Sequence, residues 1–226
     1  TPKPSSAASD VYKRQDLNLE AAQNVCKELG EENATAYQVN MGDSENIRTV
    51  FGKILEDFGQ VHCLINNAGI VSTAPFDEVT QAEWDRVISI NLTGVYTAIS
   101  VMYPAMKAAG YGRIVNVASV AAKRGGGLLG TSAYAASKAG VIGLTKAVAR
   151  EGAPYGVACN GVCPSLTMTP MTGNLGEEKL QKIISTIPMG RGAQPQEIAN
   201  MILFYASDLS SFATVSYTHL TLPTKA

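Results

Sequence analysis

The sequence predicts one α/β domain built on a doubly wound parallel sheet, and three observations carry that expectation. Apolar strand-like segments alternate with amphipathic helical ones along most of the chain, which implies a parallel sheet covered on both faces. The strand candidates VHCLI, GRIVNVA and GVACNGV are largely apolar, as strands buried on both sides are. At 226 residues, 46% hydrophobic and 16% charged, the chain is long enough for one domain with a substantial core and short for two.

Taken in order, the segment from Leu17 to Gly30 sets Leu17, Ala21, Val25 and Leu29 four residues apart and closes on Gly30. That is the pattern of an amphipathic helix with a glycine stop. Thr35 to Val39 reads as a short strand. Ser44 is expected to cap a second helix through Ile47, Val50, Phe51, Ile54, Leu55 and Phe58, ending near Gly59, and Val61 to Ile65 is a buried strand. A long helix follows from Thr80 to Ala109, then a strand from Gly112 to Ala118, a helix from Ser132 to Glu151, and a strand from Gly156 to Val162. A last helix runs from Pro195, a favoured first helical position, to Ala206. In such sheets ligands bind beyond the carboxyl ends of the strands.

A net charge of -1, with the charges interspersed, offers no basic field for a phosphate backbone. Nucleic acid is therefore not expected as a partner. No apolar run approaches the roughly 18 residues needed to span a bilayer, and no charged, apolar and cleavage-site succession opens the chain, so a cytoplasmic protein without a membrane partner is expected. Cys26, Cys63, Cys159 and Cys163 contain no C-x-x-C pair, which suits reduced core thiols and predicts no metal site. The two ends read differently from the rest. Ser5 to Gln15 (SSAASDVYKRQ) and Val215 to Thr224 (VSYTHLTLPT) resemble translations of one transposase adapter in opposite orientations. The expected organisation is thus a non-native leader over 1–15, one domain over 16–213 and a non-native tail over 214–226.

The sharpest chemical signal is Tyr134-Ala-Ala-Ser-Lys138. Tyr and Lys four apart on a helix stand on one face within side-chain reach. A phenol with a pKa of about 10 is a poor proton donor at neutral pH, and a nearby ammonium favours the phenolate. Bringing it to about 7 needs roughly 4 kcal/mol of differential stabilisation. Such pairs are common on helix surfaces, so the spacing alone does not make a site. What adds to it is Ser119, whose hydroxyl follows the strand ending Asn-Val-Ala and so sits at the ligand-binding edge of the sheet.

Ser119, Tyr134 and Lys138, with NNAG at Asn66 to Gly69, N-L-T-G at Asn91 to Gly94, and Y-A-A-S-K, resemble the motifs of the short-chain dehydrogenase/reductase family. The resemblance spans Asp16 to Ala213 and implies a Rossmann-like fold and hydride transfer between NAD(H) and a secondary alcohol or ketone. It implies that Tyr134 is the general acid/base, that Ser119 orients the substrate oxygen, and that Lys138 lowers the tyrosine pKa and holds the cofactor ribose. Asn91 would anchor a water chain to Lys138. Asn66, Ala68 and Gly69 would lie along the adenosine ribose. Asp16 resembles the acidic residue that accepts from the 2′-hydroxyl of NAD, which disfavours NADP. Pro164, Thr167 and Thr169 would cover the nicotinamide, with Ser165 standing where the family more often has Gly. Asn40 stands where an Asp more often faces the adenine.

The family's first strand, its Gly-rich turn and the first helix are absent from the sequence, and that turn is what holds a pyrophosphate. The first strand lies centrally in the sheet, so apolar strand edges are expected to be exposed, cofactor to be held weakly by the chain as it stands, and the strand after Ala213 to be lost. The segment from Thr172 to Pro188, with Leu175, Leu180, Ile183, Ile184 and Ile187, resembles the lid that closes over substrate. The alternatives are a 3-oxoacyl-thioester (acyl-carrier-protein) reductase, which predicts a basic entrance, and a non-catalytic dinucleotide sensor or scaffold. The resemblance implies that the helices from Thr80 and Ser132, which carry small and apolar residues, pack into a homodimer or homotetramer.

Overall fold

A computed structural model describes residues 12–127, 130–169, 172 and 175–219. Strands β1 (Tyr12–Asp16) and β2 (Ala34–Gln38) pair with each other. Strands β3 (Cys63–Asn66), β4 (Gly112–Val117), β5 (Val157–Cys163) and β6 (Tyr217–His219) form a second sheet in that order, and every pairing is parallel. Helices α1 (Leu19–Leu29), α2 (Ser44–Phe58), α3 (Gln81–Ile88), α4 (Gly94–Ala109), α5 (Ala121–Arg124), α6 (Ser132–Gly152), α7 (Glu177–Ile184) and α8 (Pro195–Ala206) fill the crossovers. Among the described residues no strand joins β1 to β3, so the sheet is divided at one point.

Burial follows from the crossovers. Strand β5 is buried along its whole length and β4 along all but its last residue, because helices cover both faces. On one face Ile114 and Cys159 meet Ile47, Phe51 and Ile54 of α2, Met102 and Met106 of α4, and Val141 of α6. On the other, Val115 and Val162 meet Ile198 and Tyr205 of α8. Helix α8 begins at Pro195 as expected, closed by a capping box in which the Gln194 amide donates to Glu197 Oε2 at 2.8 Å.

The structure departs from the sequence reading at five places. Asp43, not Ser44, caps α2: its carboxylate accepts from the amides of Glu45 and Asn46, both at 3.0 Å, while the Ser44 hydroxyl lies 3.2 Å from that of Thr97. The single long helix from Thr80 is α3 and α4 joined by a π-turn, Ser89–Thr93, in which the Gly94 amide donates to Ser89 O. Third, Gln81 to Ala109 is a continuous 29-residue run apolar enough by length and composition to cross a membrane, with 44% of its most apolar window buried. Its packing on α2 and the sheet accounts for that apolarity.

Fourth, the leader residues Tyr12 to Gln15, expected to lie ahead of the domain, form a strand with Asp16 that pairs with β2, with the Lys13 ammonium 3.8 Å from the centroid of the Phe58 ring. Fifth, the tail supplies a closing strand, β6. The Val215 amide donates to Cys159 O at 3.2 Å, and Asn160 holds the approach through Ala213 O and the Ser216 amide, at 2.8 and 3.1 Å. A parallel ladder is built from backbone donors and acceptors, so it accepts side chains of many kinds.

Candidate active site

Sheet and helix bring Ser119, Tyr134 and Lys138 together at the carboxyl end of β4. Ser119 follows that strand, is 9% exposed, and accepts from the Ala121 amide at 3.2 Å. Tyr134 and Lys138 occupy one face of the first turns of α6. The Lys138 ammonium, 4% exposed, donates to Val117 O at 2.7 Å and lies 5.9 Å from the Tyr134 ring centroid.

Burial works against the charged form of both groups. It lowers Lys138 to about 8, with the Cys163 thiol acting weakly the other way. It raises the Tyr134 phenol above its ordinary range, opposed by a hydrogen bond with the Ser119 hydroxyl. Burial is thus the largest influence on the phenol. The ammonium gives one donor to a strand carbonyl and lies over the ring.

Asn91 is fully buried in the π-turn, where it clamps the Ile70 backbone: its Oδ1 accepts from Ile70 N at 2.8 Å and its Nδ2 donates to Ile70 O at 2.9 Å. Nδ2 also reaches Ser137 Oγ at 3.1 Å, and Ser137 donates to Tyr134 O at 2.7 Å. The Asn91 side chain thus acts on α6 through Ser137, and no direct bond to Lys138 accompanies it. Gly69 fits beside both groups because it lacks a Cβ, which would stand 3.2 Å from Asn91 Oδ1 and 3.3 Å from Lys138 Nζ.

The residues expected along the cofactor are distributed as follows. Asn66 is turned into the core, where its Nδ2 donates to Asn116 Oδ1 at 2.8 Å and Asn116 donates to Thr145 Oγ1 at 2.9 Å. Its side chain braces β3 against β4, while Ala68 is exposed on the turn beyond. Asp16 ends β1, half-buried, accepting from the Asn18 amide at 3.1 Å and paired with Arg14 at 3.4 Å. Asn40 is exposed and its Oδ1 accepts from the Gly42 amide at 2.9 Å. Pro164 O accepts from the Val120 amide at 3.1 Å, which ties that loop to the residue after Ser119.

Thr167 and Thr169 are gathered by a residue the sequence did not single out. Thr172, 9% exposed, donates to Thr167 O at 2.8 Å and accepts from the Thr169 amide at 2.9 Å. Of the expected lid, residues 173–174 lie outside the described residues, and Glu177–Ile184 is helical. Lys123 and Arg124, at the end of α5, are exposed, and Lys123 is near enough to the buried Cys163 thiol to lower its pKa against the larger effect of burial.

The residues of this site fit the nicotinamide end of a dinucleotide: an ammonium beside a glycine-sized opening, and two hydroxyls at a strand end. Comparison with known proteins identifies the lineage. Residues 8–220 match the family described as enoyl-(acyl carrier protein) reductase. An uncharacterised short-chain type dehydrogenase/reductase of Sinorhizobium fredii is 36% identical over 203 residues, covering 88% of this chain and 80% of that protein.

The chain is a short-chain dehydrogenase/reductase. Other members are close to it. The 3-oxoacyl-[acyl-carrier-protein] reductase of Thermotoga maritima is 42% identical over 178 residues, 79% of this chain and 72% of its own length. The trans-4-hydroxycyclohexanecarboxylate dehydrogenase of Sinomonas cyclohexanicum is 41% identical over 189 residues, 82% and 69% of the two lengths. The dehydrogenase/reductase is accordingly an oxidoreductase of a family that uses a nicotinamide dinucleotide and acts on small molecules.

Proposed function

We propose that the enzyme interconverts a ketone and a secondary alcohol, with Tyr134 as general acid/base, Ser119 orienting the substrate oxygen and Lys138 holding the cofactor ribose. The observation that carries this reading is the meeting of the Ser119 hydroxyl and the Tyr134 phenol beside a buried ammonium. Bound nicotinamide supplies the hydride. As negative charge grows on the carbonyl oxygen, the Ser119 and Tyr134 hydroxyls donate to it, and Tyr134 then yields its proton. One of the three donors of Lys138 goes to Val117 O, which fixes the direction in which the others point. Its charge over the ring favours the phenolate as the proton leaves.

NAD(H) is the preferred cofactor in this reading, because a carboxylate at the end of β1 accepts from a ribose 2′-hydroxyl and repels a phosphate there. Arg14, paired with Asp16, weakens that repulsion, so replacing Asp16 is expected to admit NADPH. A homodimer or homotetramer is the expected assembly, and light scattering tests it. The experiment for the central reading is oxidation of NADH and NADPH against a ketone panel, beside Tyr134→Phe. Turnover that vanishes in the variant supports it. Cofactor binding without turnover on any ketone favours a sensor or scaffold instead.

A second reading is favoured by the Lys123–Arg124 pair directly after the Ser119 strand end and by the Thermotoga maritima relative. Two exposed cations there suit a 3-oxoacyl thioester with an anionic carrier. Reversing both charges would then raise KM for an acetoacetyl thioester of coenzyme A and leave a neutral ketone unaffected.

A further inference from the structure

Thr131 stands at the N-cap of α6, yet its side chain makes no capping bond to that helix. It is held elsewhere: its amide donates to Ser72 O at 2.9 Å and its hydroxyl donates to the same carbonyl at 3.2 Å. Ser72 is 2% exposed, and its own hydroxyl donates to Glu83 Oε1 at 2.6 Å, the short distance of a bond to a carboxylate. Glu83 sits in the first turn of α3, where Thr80 caps its amide at 3.1 Å. Residues 11 and 59 positions away therefore converge on one buried serine.

The consequence reaches the catalytic ring. Gly130, with φ +85°, lies so close to Tyr134 Cδ1 that a Cβ there would collide with the ring. On the other side, Thr131 O accepts from the Ala135 amide at 2.8 Å, so residues 130–131 bracket Tyr134 between a ring contact and the first helical bond. We propose that Glu83 and Ser72 are positioning residues that, through Thr131 and Gly130, set the place of the Tyr134 ring for proton transfer. The proposal rests on the reading of Tyr134 as acid/base and adds a residue on a different helix to it. Its physical basis is that removing the carboxylate leaves a buried hydroxyl with only the distant Thr131 hydroxyl, at 3.5 Å, to turn to, which frees the loop at Ser72 and lets residues 130–131 drift against the ring. A misplacement on the order of 1 Å at a reacting group costs up to about 100-fold in rate.

The test uses Glu83→Ala, Ser72→Ala and Glu83→Gln in the full chain, with two readouts. The first is kcat and KM on the best ketone. The second is the titration of Tyr134 followed by NMR of ¹³Cζ-labelled tyrosine without cofactor, assigned by Tyr134→Phe. Both alanine variants are expected to lose about tenfold in kcat at unchanged KM and to move the Tyr134 resonance and its titration midpoint. Glu83→Gln keeps an acceptor oxygen in place and is expected to recover most of both. A lowered melting temperature with kcat and the Tyr134 titration unchanged overturns the proposal, since the clasp would then serve stability alone; failure of Glu83→Gln to recover either readout also overturns it. If the parent chain turns over no ketone, the function reading fails, and the Tyr134 titration still decides the clasp.

Discussion

Lys138→Met tests the electrostatics of the site through folding. Lys138 is 4% exposed, and burial lowers its pKa from 10.5 to about 8. Below pH 8 the residue is protonated in both folded and unfolded states, so the full cost of burying its charge is present. Between 8 and 10.5 the unfolded chain binds more protons than the folded one, and stability attributable to this group rises with pH. At about 1.36 kcal/mol per unit, the burial cost is roughly 3 kcal/mol at neutral pH, and about 2.5 kcal/mol of it is relieved by pH 10. The assay is urea unfolding of the parent and Lys138→Met at pH 7 and pH 10. Titrations that Lys138 does not touch, including the Cys159 thiol that burial pushes up to about 12, cancel in the difference, whereas the Cys163 thiol, which Lys138 lowers, does not. The parent is expected to gain on the variant by about 2.5 kcal/mol over that interval. A difference that does not change with pH, or that changes in the opposite sense, refutes the reasoning, because the ammonium would then not be disfavoured by its surroundings.

Other outcomes follow from single contacts. Gly69→Ala puts a methyl at 3.2–3.3 Å from Asn91 Oδ1 and Lys138 Nζ, and is expected to weaken cofactor binding several-fold in a fluorescence titration while shifting the melting temperature little. Asn116→Ala strands the Asn66 amide in the core and takes one of two partners from the Thr145 hydroxyl, which keeps its bond to Val141 O, and should lower stability by about 2 kcal/mol in urea unfolding. Val215 has φ 66°, a conformation costly for a β-branched residue, so Val215→Gly is expected to raise stability by about 1 kcal/mol in the same assay.

Much of this was legible along the chain, and what escaped did so for physical reasons. The start of α8 at Pro195 and the close of α1 at Gly30 were readable because proline fixes a helical φ and glycine tolerates the φ of 88° that ends the helix. Asp43 and Ser44 are both good caps, and only the geometry that sends Ser44 to Thr97 decides between them. The three catalytic candidates were legible because Tyr134 and Lys138 share a helix face and Ser119 a strand end. Ser72, Glu83 and Thr131 were not, since their bonds link residues 11 and 59 apart, and no periodicity records such a pairing. The roles given to Asn66 and Asn91 rested on position, and their amides proved to be committed to Asn116, Ile70 and Ser137.

The π-turn has a further consequence for how the chain beyond it is oriented. Holding one more residue than an α-turn, Ser89–Thr93 sets the phase between α3 and α4. Winding the same residues as uniform α-helix, with none removed, would rotate everything beyond them by about 100°, swinging Ala98 and Met102 off the core while withdrawing Asn91 from Ile70. An Asn91→Ala change removes only the second of these. The same five residues therefore act as a phase shifter between a packing surface and a site, and loss of the π-turn at constant length is at once a lesion of both.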